Sequence, residues 1–154
     1  MAASKIHQDL IELSYVILSN CKFNLFEGEI KNTLLKSSSI SRAIKLSKHR
    51  IDYHAADKNK KYIILGEAKT SSDLNNDRTL SQLMDLIKLS HKKNLIGSIS
   101  IPASSLNKLL ETINLIDNNL KITIQPKNYK EIINSNIIII TIPDNLLGDE
   151  EYEE

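Results

Sequence analysis

Asp52, Glu67 and Lys69 are the residues of this 154-residue chain whose types and spacing promise chemistry. Carboxylate oxygens are hard ligands that suit Mg2+. An ion held between two of them neutralises charge at a phosphate, lowers the pKa of its water and orients an in-line attack. An ammonium alongside positions that water and stabilises developing negative charge. Two acids and a lysine on one surface therefore suffice for phosphodiester hydrolysis. The Ala68 carbonyl, between Glu67 and Lys69, offers a further ligand. The expected metal set is thus Asp52, Glu67 and Ala68, with Mg2+ as the ion and Mn2+ as its substitute.

Whether the three residues meet depends on how the chain around them folds. Residues 50–56 and 61–70 read as two strands, the second rich in aromatic and β-branched side chains at Tyr62, Ile63 and Ile64. Asp57-Lys58-Asn59-Lys60 has the composition of a turn. Side chains alternate along a strand, so Glu67 and Lys69 share a face with Lys61, Ile63 and Leu65. The opposite face, Tyr62, Ile64, Gly66 and Ala68, suits a packed core. A turn centred on Lys58 and Asn59 pairs residues whose numbers sum to 117. Asp52 then opposes Leu65, His54 opposes Ile63 and Arg50 opposes Glu67. Opposed residues point to one face, so Asp52 projects beside Glu67, a diagonal step away. A slip of one residue reverses this.

The flanking segments supply the rest of a sheet. Residues 5–22 form an amphipathic helix with Ile6, Leu10, Leu13 and Ile17 on one face and Ser4 as its cap. Residues 23–36 read equally as a strand or, around Gly28, a turn. Residues 80–89 form a second helix, its apolar face Leu80, Leu83, Met84 and Ile87. A strand over 95–101 ends at Pro102, and a helix capped by Ser104 or Ser105 runs to about Leu115. Strands at 121–125 and 137–142 follow. The unbroken run Ile137 to Ile140 predicts a strand buried on both faces. The fold class is α/β, a central mixed β-sheet flanked by helices. Residues 1–147 are expected to form one domain.

Composition narrows the function classes. Cys21 is the single cysteine, which excludes an internal disulfide and a thiolate zinc cluster, and its setting is that of a small buried hydrophobe. No apolar run reaches the roughly 20 residues of a membrane span, and no leader precedes the first helix, so the reading is a cytoplasmic protein with no membrane contact. Net charge is +1, yet residues 148–154 carry five acids, and without them the body stands at +6. That tail reads as an acidic, disordered appendage. Residues 31–51 hold six cations and no acid. Arg42, Lys45, Lys48 and Arg50, with Lys58 at the hairpin tip, are the candidates for nucleic-acid backbone contacts; their alternative is a solubilising surface.

Arg50-Ile51-Asp52, thirteen residues, then Gly66-Glu67-Ala68-Lys69-Thr70 resembles the motif of the PD-(D/E)xK nucleases, which include restriction endonucleases and Holliday-junction resolvases. Ile51 stands where proline is usual. The resemblance implies a restriction-endonuclease-like core and catalytic roles for Asp52, Glu67 and Lys69. It also implies a following helix bearing a glutamine, matched by Gln82 in Thr79-Leu80-Ser81-Gln82-Leu83. Gln82 has a second reading, as partner of Thr79 in a capping box. The N-terminal helix of such proteins often adds an acid; Glu12, ahead of Asp9, fits that place, although its stripe is equally a solvated one. His54 shares the Asp52 face, near the site or at its rim. The function implied is a Mg2+-dependent DNA endonuclease acting on duplex or branched DNA, as a homodimer whose two sites suit two strands. The alternative is a nuclease-like fold, catalytically unused, that binds nucleic acid or assembles with a partner.

Overall fold

Ser4 starts the first helix, its side chain accepting from the His7 N–H at 3.1 Å. The computed structural model describes residues 4–26 and 51–148; Arg42, Lys45, Lys48, Arg50 and the tail acids from Asp149 onward lie outside them. Helix α1 (Lys5–Asn20) buries Ile6, Leu10, Ser14 and Leu18 along one stripe, while Leu13 and Ile17 sit half-buried at its margin. The ambiguous segment after it begins as strand β1 (Asn24–Phe26).

Strands β2 (Tyr53–Ala56) and β3 (Ile63–Ala68) form the expected hairpin. Helix α2 (Asp77–Ser90) then crosses to β4 (Leu95–Pro102), and α3 (Leu106–Ile116) leads to β5 (Ile122–Ile124). A short helix, α4 (Tyr129–Ile133), which the sequence pattern did not predict, precedes β6 (Ile137–Ile142). The six strands lie in the order β1-β2-β3-β4-β6-β5. The first two pairings are antiparallel and the other three parallel, so the sheet is mixed.

Each face of the sheet has its own core. On one face Ile6, Leu10 and Leu18 of α1 and Ile132 of α4 pack on Tyr53, Ile64, Ile96, Ile138 and Ile140. On the other, Leu83, Leu86 and Ile87 of α2 and Leu109 and Ile113 of α3 pack on Ile63, Leu65, Ile99, Ile137 and Ile139. The run Ile137 to Ile140 is therefore buried on both sides, as its composition predicts. Among the described residues no helix is long and apolar enough to cross a membrane.

The hairpin register departs from expectation by two residues. His54 faces Leu65 and Ala56 faces Ile63, so paired numbers sum to 119. The cause is Asp57, which builds a wider turn than the one its neighbours suggest. Its Oδ1 accepts from the Lys61 and Tyr62 N–H groups at 2.8 and 3.1 Å, and its Oδ2 takes the Tyr129 hydroxyl at 2.7 Å. Lys60 completes the turn in the left-handed region at φ 55°. An even shift keeps every paired side chain on its predicted face, and the ladder ends at Tyr53 opposite Gly66, leaving Asp52 just beyond it.

Candidate active site

The site forms where β2 and β3 part, beyond the last pair of the ladder. Asp52 still pairs its backbone, donating N–H to the Gly66 carbonyl at 3.0 Å. Its carboxylate turns to the Ala68 N–H and accepts from it at 2.8 Å. The N–H and carbonyl of one strand residue point the same way, so the Ala68 carbonyl faces this side too. Gly66 is required here for space. A Cβ on it would lie 2.1 Å from the Tyr53 ring, which covers it from the paired strand.

Glu67 and Lys69 are only 1% and 7% exposed, so neither is a charge simply facing solvent. Lys69 is fixed at both ends. Its N–H donates to the Ser100 carbonyl at 2.9 Å, and its ammonium makes a short hydrogen bond to Gln82 Oε1. That contact overturns the capping-box reading. The cap of α2 is Asn76, whose side chain accepts from the Thr79 N–H at 2.7 Å. The helix thus starts three residues before Leu80. Its buried face is Thr79, Gln82, Leu83 and Leu86, while Leu80 and Met84, expected inside, are 41% and 51% exposed. Rotating the helix in this way is what points Gln82 inward.

The N-terminal helix contributes a histidine, not an acid. His7 Nε2 lies 3.2 Å from Asp52 Oδ2. Glu12 is exposed on another face of α1 and takes no part. Asp9 is engaged elsewhere, by Lys5 at 2.8 Å and by the Gly148 N–H at 2.8 Å. His54, buried one pleat deeper, has its pKa pushed down to about 4 by burial. Lys58 is exposed at the hairpin tip, at the opposite end of β3 from Glu67.

The electrostatics follow from two neighbouring carboxyls, Glu67 buried and Asp52 half-buried. Burial drives Glu67 up to about 9, and the charge and hydrogen bond of Asp52 push the same way against the cations of Lys69 and Arg78. Burial also pushes Asp52 up, but hydrogen bonds from His7, Glu67 and the Ala68 N–H outweigh it, and Asp52 ends below its usual value. Its hydrogen bond with His7 in turn raises the histidine. At neutral pH the pair therefore holds one proton, on Glu67, donated to Asp52. Glu67 Oε2 and His7 Nδ1 are buried with no hydrogen-bond partner among the described residues.

An orphaned carboxylate oxygen beside a second carboxylate fits a cation. Among the described residues there is no group of three or more His, Cys, Asp or Glu side chains placed to hold a metal. The donor set is two carboxylates and a backbone carbonyl, which suits Mg2+, an ion that keeps several waters and takes few protein ligands.

The structure brings Asp52 against Glu67 and Lys69 against Gln82, as the sequence reading expects, and adds His7 and the charge of Arg78, which that reading does not include. The signal for His7 was available: Ser4 fixes where α1 begins, and the first-turn histidine is then near the sheet end. Arg78 and Gln82 are four apart and share a helix face, a pairing hidden while the helix was started at Leu80. Compared with family models, with curated proteins and with solved structures, the chain matches none of them.

Proposed function

We propose that this chain is a metal-dependent endonuclease that hydrolyses DNA phosphodiester bonds, built on a restriction-endonuclease-like core. The observation that carries the reading is the pair of half-buried Asp52 and buried Glu67, with Lys69 buried beside them and one Glu67 oxygen unsatisfied. Burying two carboxyls side by side costs stability. A phosphate-cleaving site is a reason to keep them.

Asp52, Glu67 and the Ala68 carbonyl would hold Mg2+, with Mn2+ as its substitute. When bound, the ion supplies charge neutralisation at the phosphate and a water of lowered pKa. His7 and the Ala68 N–H keep Asp52 ionised and fix its orientation, as outer hydrogen bonds do for metal ligands. Glu67 gives up its proton before both of its oxygens can serve as ligands. Gln82 holds the Lys69 ammonium where it can orient an attacking water and offset charge developing on the phosphate. Arg78, one turn earlier on the face of Gln82, is placed to grip a phosphate oxygen of the strand.

The test is cleavage of supercoiled plasmid and of a four-way DNA junction by the purified chain with Mg2+, with Mn2+ and with chelator. Cleavage that needs the divalent ion and disappears in Lys69→Ala is the expected result. Cleavage that survives in the variant, or no cleavage by the wild-type chain with either ion while calorimetry shows no Mn2+ binding, ends the proposal. Binding of the ion without cleavage would favour the unused nuclease-like fold.

A further inference from the structure

Three lysines without an acid partner gather at the other end of the sheet. The parallel strands β3, β4 and β6 begin there, and a cavity of about 350 Å3 opens at the edge of their first residues. Lys92, Lys93, Asn94, Lys121, Asn134 and Asn136 supply much of its lining. Its wall is fixed by the backbone. The Ile63 N–H donates to the Asn94 carbonyl at 3.0 Å, and the Gly97 N–H to the Asn136 carbonyl at 2.9 Å. Lys121 and Asn136 bond reciprocally, at 2.8 Å through the Lys121 carbonyl and at 3.0 Å through Asn136 Oδ1. Asn94 turns the chain into β4 from the left-handed region, at φ 65°. The backbone at Asn94, Lys121 and Asn136 is thus held in place before any ligand arrives, which lowers the ordering cost of binding.

None of these three ammonium groups forms an ion pair among the described residues. Asp117, beside the lining residue His91, is taken by that histidine at 2.9 Å and by the Asn119 N–H at 2.9 Å. Cations crowded round one cavity repel each other, and a ligand carrying two or more negative charges relieves that repulsion. The Asn94 side-chain amide, with no partner among the described residues, adds neutral donors. The cavity volume lies at the lower end of small-ligand sites.

We propose that this cavity binds the phosphate group of a nucleotide or of a nucleic-acid strand. Glu67 and Lys69 stand at the far end of β3, about 20 Å away at the rise of a strand, so no single phosphate serves both places. The inference stands whether or not the acidic corner cleaves DNA.

The experiment is calorimetric titration of the full chain with inorganic pyrophosphate at low ionic strength, alongside the double variant Lys92→Gln/Lys121→Gln. Both lysines are exposed, and an unchanged melting curve checks the fold. One site per chain is expected, weakened at least tenfold in the double variant, weakened by salt, and unchanged in Lys69→Ala. Absent saturation, or equal affinity in the double variant, overturns the proposal. Displacement of the pyrophosphate by deoxyadenosine monophosphate assigns a free nucleotide as the source. Displacement only by a single-stranded oligonucleotide assigns a strand, and displacement by neither overturns the assignment to nucleotide phosphate.

Discussion

Two polar clusters adjoin on β2, β3 and β4, and they are built on opposite terms. On the α1 face, the Tyr53 hydroxyl lies 2.6 Å from both Ser98 Oγ and Ser100 Oγ. Ser14 Oγ lies 2.6 Å from Ser100 Oγ and donates to the Leu10 carbonyl at 2.7 Å. Every group there is neutral and partnered, and burial, aided by the Asp52 charge, lifts Tyr53 to about 12 against the serine hydrogen bonds. At the end of β3 the groups are ionisable, two of them repel, and two buried atoms lack partners. The first cluster is what a fold does with buried polar groups when only stability is at stake. The second lowers stability, a cost that the proposed metal and phosphate site would explain.

The comparison is broken most severely at the charged cluster. Lys69→Ala or Asp52→Asn is expected to lower divalent-dependent cleavage by about 10^3-fold or more while leaving the melting temperature within a few degrees. A variant that lost activity only in proportion to lost folded protein would place these residues with the structural cluster. Gly66→Ala tests the seam between the two. The added methyl meets the Tyr53 ring at 2.1 Å, so a loss of about 3 kcal/mol is expected from displacing a ring packed on both sides. Urea unfolding measures it, and a neutral result would mean that Tyr53 is not seated over Gly66.

Tyr53→Phe removes the hub of the neutral cluster and leaves Ser98 and Ser100 short of a partner. A loss of about 1–3 kcal/mol is expected, with the divalent affinity of the site unchanged. A variant that instead lost the ion would unite the two clusters. Gln82→Ala frees the Lys69 ammonium, and a 10–100-fold fall in turnover is expected with little change in stability, the usual scale for a supporting hydrogen bond. Equal falls in turnover and in DNA affinity would make Gln82 a binding residue instead.

The sequence carried the sheet-forming elements and the core of the site because alternation and strand composition are local signals. Ile137 to Ile140, the hairpin, and the shared face of Asp52, Glu67 and Lys69 could all be read from them. What escaped was set by single side chains acting at a distance. Asp57 moved the hairpin by two residues through bonds to its own turn and to Tyr129, 72 residues away. Asn76 moved the start of α2, and with it the burial of Gln82 and the exposure of Leu80 and Met84. His7 meets Asp52 across 45 residues, a contact that no periodicity announces. The family resemblance points to Glu12 as the acid of the first helix, but helix geometry puts it on a different face from His7.

The sharpest separation of the two clusters comes from the smallest change. Glu67→Gln replaces a carboxyl that holds its proton with an amide of the same shape that can donate to Asp52 in the same way. The folded pKa of Glu67 is raised from an ordinary carboxylate value to about 9, so the folded chain binds this proton more tightly than the unfolded one. That contribution to stability is complete below the unfolded pKa and is lost as pH rises through the window between the two values. Glu67→Gln should therefore melt close to wild type at about pH 5 and a few degrees above it at about pH 8, the gap widening throughout. Adding Mg2+ at the higher pH should raise the wild-type melting temperature and narrow the gap, because an ion that binds only the folded state offsets the repulsion it replaces. A gap that is flat with pH, or that favours the wild type at high pH, would show Glu67 to be comfortably ionised in the fold. The charged cluster would then be as settled as the neighbouring hydroxyl cluster.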